Sequence, residues 1–235
     1  MKRIAFYSFI FFSLLSKAQS PFTAFRYNLE AENYVSAQEV LDSCSFVKYQ
    51  EDSVLYFKGL LTLKKGNVKG AKIHFENLRK TYPAFTEANY LNALIYFTEE
   101  DYGNSIKEFT RVITQNPSHV KARYNRSIAY GLLEDYLLAI DDLTACINLD
   151  STNAMAYCSR GYWYEYSSRY AEAKKDYEKT IRLDPKNYDA YFGLAYVYQS
   201  QKENTKACET INKAILAGSQ IAVELKEIFC RQQGQ

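Results

Sequence analysis

The residues that could do chemistry are few and scattered. The two histidines, His74 and His119, have no nucleophile, second base or glycine-rich phosphate loop beside them. The five cysteines, Cys44, Cys146, Cys158, Cys208 and Cys230, contain no CxxC and no metal-ligand spacing, so no metal and no cofactor is expected. Carboxylate pairs such as Asp141-Asp142 fall on the outward side of a helical pattern, where solvent is the expected surrounding. Asn125-Arg126-Ser127 matches a glycosylation acceptor but sits in mid-helix. No set of residues offers a reaction, and the chain is expected not to be an enzyme. What it has in abundance is aromatic surface, with 22 tyrosines and 14 phenylalanines, side chains that grip apolar anchors and hydrogen-bond at one end.

The elements that must position those aromatics recur every 34 residues, with unit starts at Ala18, Asp52, Thr86, Val120, Ala154 and Tyr188. The twentieth place of each unit holds Ala37, Ala71, Ser105, Ala139, Ala173 and Ala207. The eighth holds Phe25, Gly59, Ala93, Ser127, Gly161 and Ala195, small in all but the first. Two columns of small residues mark a close approach of paired helices. One helical turn past the twentieth place come Leu41, Phe75, Phe109, Leu143, Tyr177 and Ile211, a buried stripe. Pro83, Pro117 and Pro185 all take the thirty-second place and stop each second helix. Within 154–187 the spacing Tyr157-x2-Arg160-Gly161-x2-Tyr164, Ala173-x3-Tyr177, Pro185 resembles the tetratricopeptide repeat, a helix–turn–helix unit. The resemblance implies an all-α fold of the α-α superhelix class: a solenoid of about six repeats and a C-terminal capping helix.

Asp52, Thr86, Ser118 and Thr152 each precede a first helix and are read as N-caps. The first unit is the most degenerate: helices to roughly Ala31 and over Tyr34–Cys44, then Ser45 to Glu51 without a terminating proline, a looser join. Sharp inner turns are expected at Gly66-Asn67, Glu100-Asp101, Glu134-Asp135 and Ser168-Arg169. After Gly218-Ser219, the stretch from Ile221 to about Arg231 reads as an amphipathic helix laying Ile221, Val223, Leu225, Ile228 and Phe229 on the last hairpin. Cys208 and Cys230 lie evenly either side of Ser219 in helices that should run antiparallel, a candidate disulfide. Cys146 and Cys158 are similarly placed about Thr152, although Cys158 should face the open side; Cys44 and Cys146 suit small core positions.

The N-terminus differs in kind. Lys2 and Arg3 precede an apolar run from Ile4 to Leu15, then Ser16-Lys17-Ala18, the plan of a secretory signal peptide. A membrane span needs about 20 apolar residues, more than this run supplies. The expected organisation is a signal peptide over 1–18, a degenerate repeat over 19–51, five repeats over 52–221, and a capping helix and tail over 222–235. Cleavage near Ala18 would leave a periplasmic or secreted protein without a membrane span. It would also remove Lys2, Arg3 and Lys17, so that 29 basic residues less three leave 26 against 27 acidic ones. Such a balance gives no reason to favour nucleic acid.

The resemblance implies a concave groove lined by the first helices. Carried over place by place, it is lined by Tyr56, Tyr90, Phe97, Lys121, Tyr124, Asn125, Tyr162, Tyr166, Phe192 and Tyr196, with Cys158 and Glu165. Leu60, Leu94 and Ile128 stand either in the groove or beneath it. The family's clamp for acidic C-terminal tails is not matched, since Tyr56, Leu60 and Leu91 occupy its early polar places and only Lys121 remains. An aromatic trough suits an extended peptide or a helix of an envelope or secreted partner. The alternative is a structural protein that self-associates through solenoid ends or convex faces.

Overall fold

The computed structural model describes residues 21–46 and 51–230. The leader expected over 1–18 and the loose join before Glu51 lie wholly or largely outside the described residues. Among those described there are thirteen helices and no strand: α1 Pro21–Glu30, α2 Tyr34–Phe46, α3 Glu51–Lys64, α4 Val68–Thr81, α5 Thr86–Thr98, α6 Tyr102–Gln115, α7 Val120–Leu132, α8 Tyr136–Leu149, α9 Ala154–Tyr166, α10 Tyr170–Leu183, α11 Tyr188–Ser200, α12 Asn204–Leu216 and α13 Gln220–Cys230. They fall into two compact units, with the boundary along the chain inside α5, between Ile95 and Tyr96.

The small residues of the twentieth column are fully buried in every repeat, and so are Leu41, Phe75, Phe109, Leu143, Tyr177 and Ile211 one turn further on. In the first unit α1 to α4 pack in chain order, around Phe25, Leu41 and Phe57 and then around Phe75, Leu78 and Ala88. In the second, each helix from α6 to α13 packs on the next, and α9 also touches α11, as α11 touches α13. Those last contacts set first helices side by side with their second helices behind them.

The punctuation is partly other than expected. The caps of α7, α9 and α11 are His119, Asn153 and Asn187, one residue later than the cap places read at Ser118 and Thr152. Each side chain accepts a bond from the backbone N–H three residues on, satisfying a donor with no helical partner. Thr86 and Asp52 lie inside their helices. Before Pro117 and Pro185 the chain is extended, at Asn116 and Asp184, because the ring disfavours helical geometry at the preceding residue. Where Ser151 replaces that proline the same turn forms, held by Asp150, whose carboxylate accepts from the N–H and hydroxyl of Thr152.

Every inner turn has a residue at positive φ, and it is glycine only at Gly66; Glu32, Glu100, Glu134, Ser168 and Lys202 hold φ between 57 and 65°. A side chain there costs roughly 1 kcal/mol. Ser168→Gly is therefore expected to stabilise the second unit by up to about 1 kcal/mol, read as a higher urea midpoint at constant slope.

Two further expectations need correcting. Asp142 is buried and ion-paired, not solvated. The closing helix buries only Ala222 fully, while Ile221, Val223 and Ile228 face outward. Besides packing Ala222 and Phe229 on the core of the last hairpin, it is tied to α12 by a Cys208–Cys230 disulfide of sequence separation 22, which constrains the unfolded chain by roughly 3 kcal/mol. Cys44, Cys146 and Cys158 are free thiols.

Candidate functional site

The site is built outward from Tyr177. This residue occupies the column that elsewhere holds Leu, Phe or Ile, and its ring is 1% exposed. It lies between two glycines. A Cβ on Gly161 of α9 would come 3.0 Å from the ring, and one on Gly193 of α11 would come 2.3 Å from it. Only glycine allows the two first helices to close on the phenol. The hydroxyl then reaches Glu165 and donates to its Oε2 at 2.9 Å. Burial pushes the Glu165 carboxyl above the usual carboxylate range, and the phenol's hydrogen bond offsets only part of that. Burial, together with Glu165, holds the Tyr177 hydroxyl protonated.

Above this pair opens a cavity of about 490 Å³ within the second unit. Tyr162, Trp163 and Glu165 line it from α9, Asp189, Phe192 and Tyr196 from α11, and Phe229 from α13. Tyr162 and Tyr196 are more than two-fifths exposed. Tyr162 stacks at a tilt on Tyr166, 4.6 Å between centroids, and meets the edge of Trp163 at 4.8 Å. Burial and the bond to Tyr166 push the Tyr162 hydroxyl up to about 12. Trp163 lies against Gly131 of α7, where a Cβ would come 2.2 Å from the indole, and stacks on Tyr136. Cys158 also lines the cavity; burial and Asp189 raise its thiol to about 12, so it stays protonated, and it donates to Asn187.

Of the groove residues expected from the repeat register, the structure brings Ile128, Cys158, Tyr162, Glu165, Phe192 and Tyr196 to this cavity, with Tyr166 exposed beside Tyr162. Tyr124 is tied down instead, its hydroxyl 2.9 Å from Ser159 and its ring on the core around Trp163. Phe97 packs edge-on against Tyr102. Lys121 is exposed and Asn125 half-buried. In the first unit Tyr56 sits in a cluster with Phe57, Phe75 and Phe85, and Tyr90 is half-buried. The lining residues not assigned to the groove from the sequence are Ser159, Trp163, Tyr177, Asp189, Gly193 and Phe229. One signal was present, a hydroxyl at Tyr177 in an otherwise apolar column.

Two largely buried ion pairs recur one repeat apart. Arg126 of α7 grips both oxygens of Asp142 at 2.7 Å and bonds Thr110, and Arg160 of α9 grips Asp176 at 2.7 and 2.9 Å and bonds Thr144. Among the described residues no cluster of His, Cys, Asp and Glu could hold a metal ion, and no helix is long and apolar enough to cross a membrane.

Family models described as tetratricopeptide repeat match residues 86–119, 120–153, 154–187 and 176–209, the first three in the register read from the sequence. The chain belongs to the tetratricopeptide repeat family. No curated protein matches it in sequence. Among solved structures, MamA from Desulfovibrio magneticus RS-1 is 19% identical with a TM-score of 0.68, over 80% of this chain and 99% of that one. YrrB, described as a TPR protein with an unusual peptide-binding site, is 17% identical with a TM-score of 0.68, over 80% and 97%. A tetratricopeptide repeat protein from Parabacteroides merdae is 17% identical with a TM-score of 0.69, over 88% and 84%. At these identities the likeness is one of fold, an all-α helical-repeat architecture.

Proposed function

We propose that the chain is a non-catalytic scaffold that holds a peptide or helix of an envelope or secreted protein in the aromatic trough of its second unit. The observation that carries this is the open cavity between α9, α11 and α13, walled by tyrosines exposed to solvent although each has a large apolar face. The peptide-binding site described for YrrB, a protein of like fold, supports the same use. The basic head and apolar run of residues 1–18 support export. A disulfide on α13 suits an oxidising compartment.

The test is capture from the native envelope fraction on immobilised chain, compared with the double variant Tyr162→Ala, Tyr196→Ala. Removing both exposed rings is expected to weaken capture about 100-fold, the scale of two aromatic anchors, with the far-ultraviolet circular dichroism unchanged. Undiminished capture rules out the trough. A second reading, self-association, is favoured by the outward Ile221, Val223 and Ile228 of α13 and by exposed Leu132, Leu133, Leu137 and Leu138. It predicts that the captured protein is the chain itself.

A further inference from the structure

We infer that the cavity beside Glu165 takes a cationic side chain, an arginine or lysine carried by the segment that lies in the trough, with Glu165 as its counter-ion and the rings of Tyr162, Phe192 and Tyr196 as its walls. The inference rests on the trough being the binding site and states what must enter it.

Charge is the first ground. Among the described residues, the charged side chains lining the cavity are Glu165 and Asp189, on neighbouring first helices, and no lysine or arginine lines it. The buried carboxylates Asp142 and Asp176 of the second unit are each met by an arginine of the chain itself. No ion pair among the described residues reaches Glu165 or Asp189. Glu165 is half-buried and has one neutral donor, Tyr177, on Oε2. An uncharged apolar anchor closing over it would strip water from a carboxylate and return nothing, and an anion would be repelled. A cation both neutralises the carboxylate and hydrogen-bonds to it.

The walls are the second ground. An aromatic face attracts cations through its quadrupole, and the guanidinium also stacks on it. The chain uses this chemistry for its own packing: Arg160 lies over Tyr157 and Tyr164 at 5.6 and 5.7 Å, and Lys174 over Tyr198 at 4.8 Å. Among the described residues none sets a cation over Tyr162, Phe192 or Tyr196.

The chain has one tryptophan, and it lines the cavity, so intrinsic fluorescence reports occupancy. The probes are the blocked peptide acetyl-Ala-Ala-Arg-Ala-Ala-amide and its twin with citrulline, which has the shape of arginine without its charge. The arginine peptide is expected to bind about 10-fold tighter at low salt. Glu165→Gln should abolish that preference, and Asp141→Asn, an equal change of charge on an exposed position, should keep it. Glu165→Gln is also expected to leave the urea midpoint unchanged or raised. Because the fold raises this carboxyl's pKa, its ionisation weakens the fold as pH rises past the unfolded value, and glutamine removes that penalty. Equal binding of the two peptides overturns the proposal, as does a preference that survives Glu165→Gln. A clear loss of stability in Glu165→Gln would make Glu165 a structural prop and overturns it too. If the preference is absent while Tyr162→Ala, Tyr196→Ala still abolishes native capture, the trough reading stands and only the cation is lost. If capture survives the alanines, the trough reading itself falls.

Discussion

Tyr177→Ala is expected to destabilise the second unit by about 4 kcal/mol, the upper part of the range for emptying a buried aromatic site. Tyr177 heads the fully buried side chains by size. Its neighbours on two sides are Gly161 and Gly193, which have no side chain to swing into the hole. Collapse would have to move α9 and α11 as whole helices, and that would close the cavity above. Tyr177→Phe keeps the ring and loses only the bond to Glu165, so about 1 kcal/mol is expected. It also removes the one hydrogen bond that favours ionised Glu165, moving that carboxyl further up. Urea unfolding of the three proteins side by side separates packing from polarity. Equal losses in both variants would show that the hydroxyl, not the ring, dominates.

Asp176→Ala is expected to cost about 3 kcal/mol, for a different reason. Arg160 and Asp176 have side chains only 16% and 7% exposed, and the carboxylate takes two guanidinium bonds. Burial works against the Arg160 charge, yet the bonds and charge of Asp176 more than compensate and its pKa is raised. Removing the acid leaves a guanidinium in a half-dry site with only Thr144 to accept from it. Breaking one side of a buried pair costs more than replacing both sides. The double variant Arg160→Met, Asp176→Leu should therefore recover most of the loss, and a double variant as unstable as Asp176→Ala would contradict this account. Asp142→Ala should behave alike through Arg126, since the Thr110, Arg126 and Asp142 set repeats at Thr144, Arg160 and Asp176.

That repeated triple stands in the sequence at a spacing of 34, yet Asp141-Asp142 reads there as an ordinary solvated pair. Helical periodicity puts Asp142 near the edge of the apolar face, and only a long side chain reaching over from another helix makes it buried. The groove shows the same limit. Register places Tyr56, Tyr124, Tyr162 and Tyr196 on first helices with equal claims. Tyr56 is absorbed by Phe57, Phe75 and Phe85, and Tyr124 by Ser159, while Tyr162 and Tyr196 stay open. Equal places differ because the neighbours that cover them are different residues.

From its residues alone the chain determines its repeat length, its all-helical class, the small columns at the eighth and twentieth places and the large one a turn beyond. These are local properties, since each hairpin meets only adjacent helices and the same contacts must recur at the same step. Tertiary structure alone decides which aromatic rings remain open, that Tyr177 threads between two glycines to Glu165, and that Phe229 of the disulfide-held last helix closes one wall of the cavity. Those outcomes depend on how closely neighbouring helices approach and how far a side chain reaches across them, and spacing along one chain carries neither distance.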